Sequence, residues 1–423
     1  MAPFNLETCV RPNILALQPY RCARDDYKDD GTNVLLDANE NAYGPSLDAA
    51  SSAAASSALT GLDPLGLHRY PDPHQRPLKQ RLCDLRNDSN HADGPLLTPD
   101  HLFVGVGSDE AIDALLRCFC VPARDRILTC PPTYGMYAVS AQVNDVGIVK
   151  VPLLPAPHFA LDVAAVCAAL DREPDVKLVY LCSPGNPTGS LLASADVESI
   201  LAHPTWNGVV VLDEAYVDFA PERASLARLA AKHHNLVVMQ TLSKAFGMAG
   251  IRLGAAFTSP PIARLLNALK APYNISSPTS ALAAAALDGQ GLAVMRRNRQ
   301  RLVDQRDRLL RELPAIDGVG RLRGGTDGNF LLYEMLDAQG RPDNATALAV
   351  YEALAETKGV VVRFRGKEHG CLGCLRITVG TEDEVTRLLG ALAKQLAEVR
   401  GKGGSVDAAE EEKKEQAANG IVA

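Results

Sequence analysis

The chain has 423 residues, of which 47% are hydrophobic and 22% are charged, so its composition is that of a globular protein with about two to three domain-sized units. Its formal net charge of -7 at pH 7 opposes binding to a nucleic-acid backbone, although a small anionic ligand would need only a few arginines. No apolar stretch approaches the roughly 18 to 20 residues that a membrane-spanning helix requires. Neither a nucleic acid nor a membrane is therefore an expected partner.

The start of the chain and its cysteines indicate a cytoplasmic protein. The sequence MAPFNLETCVRPNI lacks the basic and then apolar pattern of a secretory signal. The ten cysteines are scattered, which suits reduced thiols better than a disulfide framework. Cys371 and Cys374 have metal-ligand spacing, but no second pair of ligands follows them. We therefore expect thiols here and no metal site.

The chain divides by composition into four parts. Residues 1–68 are an irregular arm with an Ala/Ser tract, Ala49–Ala58, that indicates a weak helix or a linker. Residues 69–290 alternate apolar runs with helical patterns, as in a large ligand-binding domain. Residues 291–400 open with a charged helix and mix strands with helices, which predicts a smaller α+β domain. Residues 401–423 are expected to form a solvated, mobile tail, with a frayed helix as the alternative.

Five short apolar runs predict the strands of the large domain. They are nearly continuous in apolarity rather than alternating, as in strands that are buried on both faces. Because helical patterns separate them, the expected fold is α/β, with a doubly wound and mostly parallel sheet. The runs are HLFVGV, DRILTC, VKLVYLC, GVVVLD and NLVVMQ.

Polar residues follow these runs, at the carboxyl ends of the strands where ligands bind in such sheets. After HLFVGV, the segment GSDEAIDALLRCF has apolar residues at helical spacing, so Ser108, Asp109 and Glu110 form the first turn of a helix. The free N–H groups of that turn can bind an anion, provided that the two acidic side chains point away. A capped helix whose acidic residues complement its dipole is the alternative.

The next three runs also end in polar groups. VKLVYLC leads into SPGNPTG, which directs the amide of Asn186 toward the crevice unless the segment is a plain turn. GVVVL leads into DEAYVDF, which places Asp213 at a strand end and Tyr216 three residues later. An acid that follows five apolar residues is desolvated unless it meets a cation. NLVVMQ leads into TLSKAFGMAGIRLG, which carries Thr241, Ser243, Lys244 and Arg252.

These groups match the requirements of pyridoxal 5'-phosphate. Lys244 can form the Schiff base if its surroundings lower its pKa, and Asp213 can stay ionised beside the pyridine nitrogen so that the ring accepts electrons. Asn186 and Tyr216 can bind the ring oxygen, while Tyr134 in PPTYGMY can stack on the ring. The phosphate can be held by helix amides and by Ser108, Thr241, Ser243 and Arg252.

Three motifs, SPGNPTG, VLDEAYVDF and TLSKAFGMAGIRLG, resemble those of the class I and II aminotransferases in the fold-type I group. LDANENAYGP, HRYPDP, KAPYNIS and LRITVGT resemble more narrowly the histidinol-phosphate aminotransferase family, from about residue 10 to residue 395. The chain departs from that family at Ala42, where proline is common, and at Val106, where a smaller polar residue often stands. Neither position supplies a side chain to the chemistry.

The resemblance also implies a set of substrate-binding residues. Arg376 would bind the α-carboxylate of glutamate, and Arg363 together with Tyr20 would bind the substrate phosphate, to which a guanidinium is well suited. Asn39, in LDANENAYGP, is a further substrate-binding residue. Arg365 competes with Arg363 for the phosphate, and a structural salt bridge is the alternative for either arginine.

The resemblance implies a ping-pong transamination in histidine biosynthesis, in which histidinol phosphate and 2-oxoglutarate interconvert with imidazole-acetol phosphate and glutamate. Lys244 would move the proton, and Tyr70 would reach the cofactor phosphate of a partner subunit in a homodimer. An aromatic amino-acid aminotransferase and a phosphoamino-acid decarboxylase are alternatives. A non-catalytic cofactor-binding regulator would need a DNA-binding segment that the sequence lacks. A Ser/Lys hydrolase would need serine at Thr241.

Overall fold

In this computed structural model, residues 11–16, 32–48, 66–87 and 95–419 are described. Tyr20 and the tract Ala49–Ala58 lie outside these ranges. So far as they are described, Glu40–Arg301 and Gly325–Asn329 belong to one compact unit, and residues 22–39, 302–324 and 330–423 belong to a second. The change of unit after Arg301 falls inside a long helix, and the domain limits expected from the sequence stay predictions.

The two units contain the following regular elements. The strands are β1 (Val34–Leu35), β2 (Leu102–Val106), β3 (Arg126–Thr129), β4 (Gly147–Lys150), β5 (Val176–Cys182), β6 (Val209–Asp213), β7 (Leu236–Thr241), β8 (Leu253–Thr258), β9 (Val319–Leu322), β10 (Phe330–Met335), β11 (Val360–Val361), β12 (Arg363–Phe364) and β13 (Cys374–Thr378). The helices are α1 (Pro12–Leu15), α2 (Arg76–Asn87), α3 (Gly107–Phe119), α4 (Met136–Val143), α5 (Val163–Arg172), α6 (Ser194–Leu201), α7 (Pro260–Leu269), α8 (Ser277–Ala286), α9 (Gly289–Glu312), α10 (Asn344–Lys358) and α11 (Glu382–Asn419).

The first unit is built on a seven-stranded sheet in the order β2-β8-β7-β6-β5-β3-β4. All strands run in one direction except β8, which pairs antiparallel with both β2 and β7. The mostly parallel α/β sheet expected from the sequence is confirmed, and each of the five apolar runs forms a strand. Every residue of β6 and β7 is buried, which is why these runs are continuously apolar.

The strands β4 and β8 were not predicted from the sequence. β4 is short, lies at the sheet edge and has only partly buried side chains, so its apolar signal is weak. β8 reads LGAAFT, and glycine and alanine are poor strand formers. Its place in the sheet is determined by its two neighbouring strands rather than by its own composition.

The register of the parallel strands aligns their carboxyl ends. Cys182 at the end of β5 lies opposite Asp213 at the end of β6, and Asp213 lies opposite Met239 in β7. The chain stays in register just beyond β5, since the N–H of Ser183 donates to the carbonyl of Asp213. The polar segments that follow β5, β6 and β7 therefore emerge at one edge of the sheet.

The second unit contains a four-stranded antiparallel sheet in the order β12-β13-β10-β9 and a separate parallel pair, β1 with β11. The helix α11 spans Glu382–Asn419, and the expectation of a mobile tail from residue 401 stays a prediction. Across the described ranges, none of the helices combines the length and the apolarity needed to cross a membrane.

Candidate active site

Asp213 is one of the most deeply buried of the predicted site residues. It ends β6 and its side chain is 3% exposed. Its Oδ2 accepts a hydrogen bond of 2.7 Å from the hydroxyl of Tyr137, and its Oδ1 accepts one of 3.1 Å from the N–H of Ala215. Burial raises the pKa of Asp213 to about 6, while these two hydrogen bonds and the charge of Lys244 act in the opposite direction. The carboxylate is therefore ionised at neutral pH in a place that penalises its charge.

The unfavourable burial of the Asp213 charge allows the fit of a cofactor to this position to be tested. A buried carboxylate is stabilised most effectively by a cation that is placed directly beside it. The protonated nitrogen of a pyridine ring is such a cation, and the carboxyl edge of a parallel sheet is where ligands bind in open α/β folds. The residues present therefore fit pyridoxal 5'-phosphate at this position.

Tyr137 is a site residue that the sequence analysis missed. It is fully buried, its ring stacks on Tyr180 with centroids 4.8 Å apart, and it meets Tyr134 edge-on at 5.6 Å. Tyr137 lies in the first turn of α4 and Tyr134 lies just before that helix, and the N–H of Tyr137 donates to the carbonyl of Tyr134 at 3.4 Å. The spacing of the two tyrosines in PPTYGMY was the signal that could have identified it.

We expect the substitution Tyr137→Phe to weaken cofactor binding by about tenfold at pH 7, because a hydrogen bond to a charged group contributes roughly 1.5 to 3 kcal/mol. The hydroxyl holds the pKa of Asp213 down, so its loss raises that pKa further and leaves less carboxylate ionised. The defect should thus be larger at pH 6.5 than at pH 8.5 in titrations of the apoprotein with pyridoxal 5'-phosphate. Tyr180→Phe is the matched control, since the Tyr180 hydroxyl donates to the carbonyl of Ile112. Equal defects at both pH values would contradict this role.

Lys244 lies in the turn after β7 and is half-buried. Its Nζ lies 5.8 Å from the centroid of the Tyr216 ring, which is 5% exposed. Before it in the chain, Thr241 and Ser243 are buried and share a hydrogen bond of 2.9 Å, and Thr241 also bonds the carbonyl of Leu253 at 3.0 Å. The turn that carries the lysine is thus fixed to β8 by side-chain hydrogen bonds.

The start of α3 is the candidate phosphate site. Gly107 has φ of +71°, and a Cβ added there would lie 2.6 Å from Nη2 of Arg252. Arg252 itself has the left-handed conformation, with φ of 53°. At Gly254 in β8 an added Cβ would lie 2.4 Å from the backbone N of Ser108. The two glycines therefore allow β8, the helix start and a guanidinium to come together, as an anion site requires.

The two acidic side chains of this turn differ in their contacts: Asp109 contacts Arg252, a predicted phosphate ligand, whereas Glu110 contacts Val106 and Asn274. The carboxylate of Glu110 accepts hydrogen bonds from the N–H of Val106 and from the side chain of Asn274, at 3.1 and 3.2 Å for the latter. Asp109 accepts a hydrogen bond of 3.3 Å from the Tyr134 hydroxyl and lies 3.5 Å from Arg252. The ion pair between Asp109 and Arg252 is about half exposed, so it stabilises the fold only weakly. For Glu110, a cofactor contact would have to come from its backbone N–H.

Asn186 lies in a tightly bonded loop after β5. It is 5% exposed, and the N–H of Gly185 donates to the carbonyl of Ser190 at 2.9 Å. A Cβ at Gly185 would lie 2.3 Å from Oγ1 of Thr188, so the segment closes on itself more tightly than a plain turn needs. The Ser183 hydroxyl accepts a further hydrogen bond of 2.9 Å from a backbone N–H of the loop.

Arg376, Arg363 and Asn39 belong to the second unit, which is described by itself. Arg376 in β13 is 4% exposed, its Nη2 donates to the carbonyl of Asp37, and its guanidinium lies 5.5 Å from the ring centroid of Phe330. Asn39 is 1% exposed, with φ of 53°, and its side chain accepts a hydrogen bond of 2.9 Å from Thr378. These contacts fix the segment before residue 40 beside β13.

The sheet register separates Arg363 from Arg365. Arg363 in β12 lies directly opposite Arg376 in β13, and residues directly opposite in an antiparallel pair have their side chains on the same face. Arg365 instead donates to Glu368 at 2.6 Å in an ion pair whose members are both mostly buried. The geometry therefore favours Arg363 for an anionic substrate group and a structural ion pair for Arg365.

Tyr70 is the most exposed of the predicted cofactor ligands that the structure describes. Its side chain is 81% exposed, and its ring stacks on Tyr273 with centroids 4.6 Å apart. Tyr20 is not among the described residues.

Among the residues that are described, no group of three or more histidine, cysteine, aspartate or glutamate side chains is placed to bind a metal ion. Cys371 and Cys374 are buried free thiols.

The chain is similar in sequence to known proteins over most of its length. The family model for aminotransferase class I and II matches residues 32–392. The histidinol-phosphate aminotransferase of Schizosaccharomyces pombe is 51% identical over 397 residues, which cover 93% of this chain and 98% of that protein. That of Saccharomyces cerevisiae is 47% identical over 393 residues, with 91% and 96% covered.

The fold is similar to that of a solved histidinol-phosphate aminotransferase from Sinorhizobium meliloti in complex with pyridoxal 5'-phosphate. The TM-score is 0.77 at 24% sequence identity, and the match covers 92% of this chain and 98% of the other. This likeness confirms the fold-type I architecture that the motifs predicted. The family match and the close relatives together decide the assignment: the chain belongs to the class I and II aminotransferases, which are pyridoxal-phosphate-dependent transferases, and among them to the histidinol-phosphate aminotransferase family.

Proposed function

We propose that this protein interconverts histidinol phosphate and 2-oxoglutarate with imidazole-acetol phosphate and glutamate, in histidine biosynthesis, by a ping-pong transamination. The observation that carries this proposal is the pair Arg363 and Arg376, which lie opposite each other in β12 and β13. Residues directly opposite each other in an antiparallel pair share one face of the sheet, so the two guanidinium groups lie on the same face. A site that must accept both a phosphate ester and a dicarboxylate needs two such guanidinium groups.

Pyridoxal 5'-phosphate, when bound, supplies the electron sink that makes the Cα–H bond of an amino acid labile. Lys244 would hold the cofactor covalently and, once released, move the proton from Cα, for which its half-buried position near Tyr216 is suitable. Asp213 would hold the charge on the ring nitrogen, and Asn186 and Tyr216 would donate to the ring oxygen. Tyr134 would pack on the ring face. The phosphate would be held by Ser108, Thr241, Ser243, Arg252 and the backbone N–H groups of Asp109 and Glu110.

A homodimer is part of the proposal. Tyr70 is 81% exposed, and near it lie Leu67, at 57%, and Tyr273, at 41%. Exposed aromatic and apolar side chains that lie together mark an interface more often than a solvated surface. In a dimer, the hydroxyl of Tyr70 could reach the cofactor phosphate of the partner subunit.

A cytoplasmic location is inferred from the thiols, since every cysteine in the described ranges is free.

Steady-state kinetics test the proposed substrate. We expect kcat/KM for histidinol phosphate to exceed that for histidinol and for phenylalanine by about 100-fold or more, because the phosphate adds two charge-assisted hydrogen bonds. Equal kcat/KM values for phenylalanine and histidinol phosphate would indicate an aromatic amino-acid aminotransferase instead. Release of carbon dioxide from a phosphoamino acid, without formation of glutamate, would indicate a decarboxylase.

The two arginines of the VVRFRG segment give a matched pair of variants. Arg363→Gln should lower kcat/KM for histidinol phosphate by about 100-fold and leave the value for glutamate within a few fold, because the loss is confined to the phosphate contact. Arg365→Gln is the control, since that side chain is paired with Glu368. If the control loses the phosphate preference and Arg363→Gln keeps it, the assignment of the two arginines is reversed.

A further inference from the structure

A cavity outside the site described above carries several basic side chains and one acidic side chain in its lining. It lies in the first unit beside the start of α2 and the helix α7, and its volume is about 600 Å³. In a chain whose net charge is -7, such a concentration of positive charge is unusual. The charged and titratable side chains that line it are His74, Arg76, Lys79, Asp100, Arg264 and Lys270.

Lys79 is the most informative of these residues because it is only 6% exposed. Lysine is almost never buried in this way unless it is paired with an anion. Its Nζ donates to the side-chain oxygen of Asn267 at 3.0 Å, which is a neutral acceptor. The amide of Asn267 is held in that orientation by hydrogen bonds to the carbonyls of Leu102 and Ala263, at 2.9 and 2.7 Å.

The surroundings of Lys79 oppose its charge. Its pKa is lowered to about 8, first by burial and then by the charges of Lys270 and Arg76, against weaker effects of Asp100 and Asp72. Arg76 pairs with Asp100 at 2.9 Å, but both side chains are more than 60% exposed, so this pair contributes little and opens easily. An anion in the cavity would relieve the repulsion among the basic groups.

Lys270, which also lines the cavity, is held in position by an asparagine. Its Nζ donates to the side-chain oxygen of Asn274 at 2.9 Å, and the amide of Asn274 donates to the carbonyl of Val104 and to the carboxylate of Glu110. Two of the basic groups, Lys79 and Lys270, are thus fixed by asparagine side chains that are themselves fixed. Such preorganisation reduces the entropy lost when a ligand is bound.

We propose that this cavity binds a small phosphate-bearing anion. A phosphate group offers several acceptor oxygens and a charge near minus two, which matches converging ammonium and guanidinium groups. The volume is within the range of small-molecule sites, roughly 300 to 1,000 Å³. The remaining walls are apolar and can cover an uncharged part of the ligand; they are formed by Pro73, Pro99, Leu102, Pro260 and Pro272.

The test is calorimetric titration of the purified holoenzyme with inorganic pyrophosphate. Arg264 is exposed, so its substitution should leave the fold intact. We expect Arg264→Gln to weaken binding by about tenfold and Arg264→Glu to abolish it, because a hydrogen bond to a charged group is lost in the first and repulsion is added in the second. Arg172→Gln removes an exposed arginine at the end of α5 and should bind as the wild type does.

Proton uptake gives a second measurement that does not depend on the stability of a variant. An anion beside Lys79 raises the pKa of that lysine from about 8, so binding at pH 8 should take up protons. The apparent binding enthalpy should then depend on the ionisation enthalpy of the buffer, and the number of protons taken up should be smaller in Lys79→Met, in which only the ionisation of pyrophosphate itself contributes. Absence of binding at millimolar pyrophosphate, or equal affinity in wild type and Arg264→Glu, would overturn the proposal.

Discussion

The substitution Lys244→Ala is expected to lower kcat/KM by about 10⁴-fold, because one amine would both hold the cofactor and transfer the proton. The visible absorbance that arises from the covalent link between the lysine and pyridoxal 5'-phosphate should be absent from the purified variant. A small primary amine such as methylamine, added in solution, should restore part of the lost rate, since the truncated side chain leaves room for it beside Tyr216.

Lys150→Ala is the matched control for this experiment, because Lys150 is an exposed lysine on the edge strand β4. It should keep wild-type rates and the full absorbance. Undiminished turnover in Lys244→Ala would remove the proposed mechanism. A variant that loses activity but still shows the lysine-dependent absorbance would place the covalent link on another lysine.

The substitution Asp213→Asn should have opposite effects on activity and on the stability of the apoprotein. Activity should fall by about 10³-fold, because a neutral amide does not stabilise a positive charge on the ring nitrogen. The ring accepts electrons from the substrate only when that nitrogen is protonated. The apoprotein should become harder to unfold at pH 8, because the variant no longer buries a negative charge whose burial raises its pKa. Thermal unfolding of the cofactor-free proteins, beside steady-state rates of the reconstituted ones, measures both effects.

The pH dependence of the stability change follows from the pKa of Asp213. This carboxyl has a folded pKa of about 6, above its ordinary value of 3.8, so the folded apoprotein holds a proton that the unfolded chain releases. The free energy of unfolding of the wild-type apoprotein consequently decreases as pH rises from about 4 to about 6. For a pKa shift of this size the decrease is about 3 kcal/mol. The stability difference between variant and wild type should therefore be larger at pH 8 than at pH 5.

Asp171→Asn provides the control, because Asp171 is 61% exposed at the end of α5 and should show neither effect. If the cofactor-free Asp213→Asn protein were less stable than the wild type at pH 8, the burial of an unfavourable charge at this position would be refuted. Full activity in the reconstituted variant would mean that another group holds the ring nitrogen.

Local sequence patterns predicted the parts of the site that lie at strand ends. Asp213 follows the buried strand GVVVL directly, and Lys244 follows NLVVMQ after a short turn. Continuous apolarity identifies a strand buried on both faces, and the first polar residue beyond it must lie at the carboxyl edge of the sheet. The start of α3 at Gly107 was predicted for the same reason, since helical spacing begins where the strand ends.

The partners of these residues could not be predicted in this way. The hydroxyl of Tyr137 reaches Asp213 across 76 positions of sequence, and Asn274 reaches Glu110 across 164. Neither tyrosine nor asparagine carries a local signal for such a contact. The strand β8 was missed because its small residues are favoured by close neighbours on both sides and not by their own propensity.

By itself, the sequence determined five strands of the large sheet, the polar residues at their ends and the family to which the motifs belong, because these depend on neighbours a few positions apart. Only the tertiary structure decided that Arg363 lies opposite Arg376 while Arg365 pairs with Glu368. It also decided that Lys79 is buried among other cations. Register and burial depend on contacts between distant segments, and those contacts are set by the packing of the whole unit.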